Sequence, residues 1–560
     1  MNLRTLAKRG LAATGTAGLA RSAVRRIRLL RGNARRAQAL RRVTRDDTIP
    51  ELRPLPQARY IFAVGAIPRR YAGRTASVLT KAKLLAEQGG VQCEILTMNY
   101  SAELDDVAHE IDERGALGDG VRIINLYDSL VGEPSKHPIT HPVDEPGMDY
   151  IKDADGSVYR YFENGVYRLY KRFDYAGRLI VRDWFNENRG RTRRDEFGTD
   201  GHIRRTTYYD LHYNKPRQEI YYRSDDTAFM SKWLVVNPDD LTTQVERITM
   251  FDADERPVKV LHSHIELIHE YLDRVIGDDH VFLSVESRRT DPEVLDYRRP
   301  NVKRLYVLHN PHASGYSVSK VRATYRPMLD RHAQADAIVF LTAAQRADAE
   351  AHYGHQKNFF VIPHPVKLPA PAAPVERDPE LVVVLARLDQ QKQLDHAIRA
   401  FAQVVKHRPK ARLEIYGRGP EEAALRRLIS SLRLEKSVSL KGYTTDPAAV
   451  YRSASACLLT SAYEGFGLVV LEAASYGCPV VSYDLSYGPS DIIEDGRTGF
   501  LVPEGDERKL AERTLDILRD PALRDRLSQA AEESVHRFSP ESCLARWSAL
   551  FNTLDAAGWS

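Results

Sequence analysis

The sequence predicts an α/β protein of two doubly wound domains facing a crevice, with an antiparallel β-meander inserted in the first domain. Three observations predict it. Short apolar runs alternate with helix-period segments at both ends of the chain, the pattern of parallel sheets covered by helices. A Pro/Ala tract at 367–379 separates two such series. A Tyr-, Trp- and Arg-rich stretch at 102–254, cut by regularly spaced turns, breaks the first series.

Taken in order, residues 1–48 form a basic tail and 49–57 a Pro-rich linker. The run 59–67 (RYIFAVGAI) reads as a buried strand, 76–88 as a helix and 91–98 (VQCEILTM) as a second strand. Gly73-Arg74-Thr75 lies in the first strand-to-helix loop, but GxGxxG is absent, which excludes a dinucleotide fingerprint there. Between 102 and 254, Gly156, Gly165, Gly177, Gly190 and Gly201 punctuate alternating segments such as 166–173 (VYRLYKRF), as expected of successive hairpins. The α/β pattern resumes with a helix at 263–274, strands at 281–286 and 303–308, a helix at 319–334, a strand at 337–341, a helix at 343–353 and a short strand at 359–362. The N-terminal domain is therefore assigned to 57–101 and 255–366. After the linker, strands at 381–386, 412–416, 438–441, 456–460, 479–483 and 499–502 alternate with helices over 380–535, and 536–560 closes the chain as a helix.

Composition bounds the function. The 560 residues are 43% hydrophobic and 28% charged, ordinary globular values for two or three domains. The net charge of +5 comes entirely from the tail: residues 1–45 carry 13 Lys+Arg and no acid, and removing those 13 from 81 leaves 68 against 76 Asp+Glu, a balance of −8. Val24, Ile27, Leu30 and Ala34 recur at helical spacing among the tail arginines, as in an amphipathic helix on an anionic membrane surface; disorder is the competing reading. No aromatic residue precedes Tyr60, so a nucleic-acid-stacking arm is not expected. Residues 1–20 resemble a weak signal peptide, but the run at 10–20 is short, mildly apolar and followed by further arginines, so export is not expected. Four scattered cysteines without a CxxC pair fit a reducing compartment.

The chemistry gathers at strand ends of the second domain. Gly465 and Gly467 break the chain between the strand at 456–460 and a helix from Leu468, so that Glu464 sits in the turn and Glu472 one turn into the helix, on its crevice side. A helix N-terminus suits an anion, and paired carboxylates suit sugar hydroxyls. The loop 386–395 (ARLDQQKQLD) follows a buried strand, where Arg387 and Lys392 supply a fork and a point charge for a diphosphate. Gly417 opens another strand–glycine–helix turn, and Tyr443 stands at a third strand end, positioned to border a base. In the first domain, His309 and His312 end the strand at 303–308. A metal pair there is not expected, and His262, His264 and His269 do not share one helix face. Asp153-Ala-Asp155 and Asp252-Ala-Asp254 imitate a metal-binding DxD but fall where hairpin turns are predicted.

Together, the Arg387…Lys392 loop, the Glu464-x7-Glu472 pair and Gly488-Pro489-Ser490 resemble the family 4 retaining glycosyltransferases of GT-B fold, from Arg59 to the C-terminus apart from the insertion. With the insertion included, the chain most resembles the wall-teichoic-acid poly(polyol-phosphate) α-glycosyltransferases and the glycosyltransferases of serine-rich adhesins. The resemblance implies two Rossmann-like domains and transfer of a hexose or N-acetylhexosamine from a UDP-sugar to an envelope polymer, with neither cofactor nor metal. It implies catalytic roles for His309, Arg387, Lys392 and Glu464. Donor contacts follow for Gly73, Gly417, Tyr443, Gly465, Phe466, Gly467, Leu468 and Glu472, with Glu472 on the ribose. At Gly73 the family's usual double glycine is replaced by Gly-Arg. The expected partners are the nucleotide sugar, an anionic polyol-phosphate acceptor and a second copy bound through the insertion, in a cytoplasmic protein at the inner membrane face. A serine-rich protein or capsular polysaccharide acceptor, or a non-catalytic partner subunit, is the alternative.

Overall fold

Buried apolar runs become the strands of two parallel sheets in a computed structural model that describes residues 48–69, 71, 73–133, 135–313, 320–369 and 376–559. The tail helix and its membrane-surface reading fall on residues 1–47, and the middle of the linker tract on 370–375, outside the described residues. Among the described residues no helix is long and apolar enough to cross a membrane.

The first sheet has seven strands in the order Phe359–Val361, Ala337–Phe340, Val302–Leu308, Val281–Val285, Arg59–Val64, Cys93–Thr97, Val121–Asn125. Its order reverses between Arg59–Val64 and Val281–Val285, which pair in parallel with Arg59 opposite Val281. The second sheet has six strands in the order Val438–Gly442, Arg412–Tyr416, Leu381–Leu385, Ala456–Leu459, Val480–Asp484, Gly499–Pro503. It reverses between Leu381–Leu385 and Ala456–Leu459. In open α/β sheets ligands bind at the carboxyl ends of the strands flanking such a reversal.

The insertion is a single ten-stranded antiparallel sheet running in sequence order from Asp149–Lys152 to Pro257–Leu261. Its limits differ from the expected 102–254. The helix Leu104–Glu113 and the strand Val121–Asn125 belong to the parallel sheet, where Cys93 pairs with Val121. At the other end the strand Pro257–Leu261 pairs with Thr243–Phe251. Both DxD sequences are hairpin turns: the Gly156 amide donates to the Asp153 carbonyl at 3.2 Å, and the Arg256 amide to Asp252 Oδ1 at 2.9 Å. Several of the insertion's arginines are paired with carboxylates across strands. Arg194 forks onto Asp183 at 2.7 and 2.8 Å, and Arg182 reaches Asp195 at 3.1 Å. Lys232 donates to the Tyr127 hydroxyl at 2.6 Å, and the Arg205 guanidinium lies 4.2 Å from the Tyr100 ring centre.

The helix expected at 319–334 is instead the single turn Arg326–Leu329 and a 3-10 turn His332–Gln334. Pro327 lacks an amide donor and fits only a first helical turn. The helix at 263–274 is His264–Ile276, held at its start by a capping box in which the Ser263 hydroxyl accepts from the Glu266 amide at 3.1 Å and Glu266 accepts from the His262 amide at 3.0 Å. The closing helix runs Pro540–Ala556, and Phe551 packs edge-on against Tyr60 with ring centres 4.9 Å apart. Contacts divide the chain into two compact units: Pro54–Tyr306 with Asp330–Asp336 and Phe551–Ser560, and Val307–Leu329 with Ala337–Leu550.

Candidate active site

The order reversal of the six-stranded sheet brings together two loops distant in sequence. After Leu381–Leu385 the chain passes Arg387 and makes the 3-10 turn Gln390–Lys392; after Ala456–Leu459 it makes the glycine turn and starts the helix Leu468–Ser475 at Gly467. Backbone bonds lock the two loops together. The Ala462 amide donates to the Gln391 carbonyl at 2.8 Å, and the Thr460 hydroxyl to the Lys392 carbonyl at 2.9 Å. The Gln391 side chain donates to the Tyr463 carbonyl at 2.9 Å and accepts from Arg387 at 3.3 Å.

Lys392 Nζ therefore meets Glu464 Oε1 at 2.6 Å although 72 residues separate them, and the Ser461 hydroxyl donates to the same oxygen at 2.6 Å. Both members of the pair are largely but not fully enclosed, at 14% and 13% side-chain exposure. Arg387 is 65% exposed and reaches Asp389 at 2.6 Å. Gly417 holds the neighbouring strand end close: at φ +146 an added Cβ would overlap the Ala386 carbonyl oxygen. Tyr443, at the third strand end, is 69% exposed.

Gly465 has a steric reason to be glycine, since an added Cβ would overlap the His309 carbonyl oxygen. His309 thus borders the turn in the same unit. Its ring stacks on His364 with centres 5.4 Å apart, and His364 meets Phe466 edge-on at 5.6 Å. His312 does not join them. It is fully buried, stacks on Tyr487 at 6.0 Å, and burial pushes its pKa down to about 4, so it stays neutral. Glu472 is half-buried beside Tyr451 and Cys457, and burial raises its carboxyl above the ordinary range. Gly73, with φ +56, starts the helix Arg74–Glu87 in the other unit, where Arg74 donates to the Ser287 hydroxyl at 3.2 Å.

A cleft of about 400 Å³ in the second unit is lined by Asp389, Asp395, His396 and Glu421, and its carboxylates disfavour a diphosphate. Among the described residues no group of three or more His, Cys, Asp or Glu is arranged to hold a metal ion. Residues 60–252 match glycosyl transferase 1 domain A, and residues 371–534 match glycosyl transferases group 1. The chain thus carries group 1 glycosyltransferase domains in a GT-B fold.

This glycosyltransferase is 27% identical over 517 residues to the poly(glycerol-phosphate) alpha-glucosyltransferase of Bacillus subtilis, across 90% of this chain and 76% of that one. It is 24% identical over 494 residues to the poly(ribitol-phosphate) alpha-N-acetylglucosaminyltransferase of Staphylococcus aureus, across 86% and 97%. The S. aureus TarM mutant solved with Fondaparinux, alpha-GlcNAc-glycerol and UDP superposes with a TM-score of 0.74 at 22% identity, covering 89% of this chain and 100% of that one. Three side chains beside the Glu464 turn went unassigned in sequence: Ser461, Gln391 and Arg322. The Arg322 guanidinium lies 4.9 Å from the Tyr463 ring centre. Gln391 stands within the 386–395 loop and Ser461 between the strand at 456–460 and Glu464, whereas Arg322 carries no motif signal.

Proposed function

We propose that this glycosyltransferase moves a hexose or N-acetylhexosamine, with retention, from a UDP-sugar to a poly(polyol phosphate) of the teichoic-acid class. The observation that carries the reading is the Lys392–Glu464 contact at a sheet reversal, in a chain whose relatives named for such polymers match over most of its length. Arg387 and Lys392 hold the donor diphosphate and stabilise the leaving nucleotide, together with the helix amides that follow Gly467. Glu464 and His309 contact the donor sugar, while Gly465, Phe466 and Leu468 shape the turn around it. Gly417 and Tyr443 border the nucleoside, and Glu472 holds the ribose hydroxyls. The leaving phosphate takes the acceptor proton on the face where the new bond forms, so no enzyme nucleophile is required.

Binding and slow hydrolysis across a panel of UDP-sugars, compared between wild type and Lys392→Ala, tests the reading. One donor is expected to be hydrolysed by wild type and roughly 10²–10³ times more slowly by the variant, the loss typical of one charge-stabilising donor. Wild type that neither binds nor hydrolyses any UDP-sugar sinks it. Contact of the 1–48 tail with an anionic membrane surface inside the cell, and self-association through the insertion, extend the proposal. Liposome flotation of a tail-deleted chain and the solution mass of the whole chain test these two extensions.

A further inference from the structure

Beside the Glu464 turn, Lys392 pairs with Glu464 and Arg387 with Asp389. Arg322 is held differently. Its amide donates to the His312 carbonyl at 2.8 Å, and its Nε to the Ala313 carbonyl at 3.1 Å. Val321 bridges to Ala313, and the Tyr325 hydroxyl donates to the Asn310 carbonyl at 3.0 Å. The segment is thus tied to the loop carrying His309. The guanidinium lies over Tyr463, a ring 38% exposed, and among the described residues no carboxylate pairs with it. An arginine bonded at Nε and laid on an aromatic face is pre-organised, with its two terminal amines left for a planar anion.

We propose that Arg322, positioned by Tyr463, recognises a phosphodiester of the acceptor polymer next to the sugar-transfer point. This rests on the polyol-phosphate reading above. The donor carries two phosphates, and Arg387 and Lys392 already supply a cation for each. Arg322 comes from another segment, so it is the cation available to a third phosphate. A phosphodiester presents two equivalent oxygens to a guanidinium fork, which an ammonium cannot match. The insertion's arginines are no rival for this task where cross-strand carboxylates neutralise them, as at Arg182, Arg194 and Arg205.

The experiment compares wild type, Arg322→Ala and Arg322→Lys on three readouts: UDP-sugar binding with donor hydrolysis, transfer to poly(glycerol phosphate), and transfer to free glycerol. Arg322→Ala is expected to raise KM for the polymer roughly ten- to a hundredfold, the range of a charge-assisted hydrogen bond, with donor hydrolysis and glycerol transfer unchanged. Arg322→Lys should recover only part of the loss. Unchanged donor hydrolysis also shows that the variants fold. A polymer KM that stays at the wild-type value overturns the proposal, and so does a parallel loss of donor binding, which would make Arg322 a donor residue. Wild type that hydrolyses donor but ignores poly(glycerol phosphate) fails at the earlier step: the acceptor reading falls before any variant is compared.

Discussion

Each parallel sheet reverses its strand order once, and each reversal carries a lysine–glutamate pair with a serine on the glutamate, yet the two pairs are enclosed to different degrees. At the N-terminal reversal Lys81 pairs with Glu286, at 7% and 0% side-chain exposure, and the Ser284 hydroxyl donates to Glu286 at 2.6 Å. Lys81 comes from inside the helix Arg74–Glu87 and lies 4.7 Å from the centre of the Phe62 ring. At the C-terminal reversal Lys392 comes from a loop and remains partly open to solvent, as does Glu464. Charges closed off from water serve each other, because losing one leaves the other uncompensated. Charges at an open strand end exchange partners when an anion or a sugar arrives. On the proposed function, the same pair of residue types is structural at one reversal and ligand-directed at the other.

The sharpest way to break this comparison is at Glu464. Glu464→Gln keeps the shape and removes the charge; kcat/KM is expected to fall roughly 10²–10³-fold, while the thermal midpoint stays near wild type. A large loss of stability with activity per folded molecule intact would reverse the assignment. Next in size is Glu286→Gln, expected to cost about 3 kcal/mol of stability because it removes the carboxylate charge paired with Lys81 in a closed site. Denaturant unfolding measures this, and donor hydrolysis by the folded fraction should persist. An inactive but fully stable variant would make the N-terminal pair a ligand site as well.

The smallest effect concerns Asp291, six residues after the strand Val281–Val285. Burial pushes its carboxyl from 3.8 to about 7 despite Arg288 at 3.4 Å. A folded pKa raised above the unfolded value means that the folded state holds the proton more tightly. The contribution to stability is therefore full below about pH 4, declines as pH rises to about 7, and is flat beyond. Asp291→Asn is expected to remove that decline and to raise stability at pH 8 by on the order of 1 kcal/mol or more. Thermal midpoints of both proteins between pH 4 and 8 decide it; identical slopes would mean that Asp291 is not the titrating group.

The edges of the insertion were misread in sequence for one physical reason. Val121–Asn125 and Pro257–Leu261 are edge strands, and the second exposes four of its five residues, so neither shows the apolar run that marks a central strand. Central strands such as Leu381–Leu385 are buried at every position and were legible at once. Arg322 stayed hidden because a half-buried arginine outside regular structure has no periodicity; only its neighbour Tyr463, brought in from the other loop, marks it.

By itself the sequence determined the alternation of strands and helices, the hairpin turns within the insertion and the glycosyltransferase motifs, because apolar runs, turn glycines and short loops act over a few residues. Tertiary structure decided the strand order, and with it which loops meet. Lys392 reaches Glu464 because the sheet reverses between their strands, and Glu472 turns towards Tyr451 because helix packing sets that face. Such contacts depend on register across tens of residues, which no local pattern records.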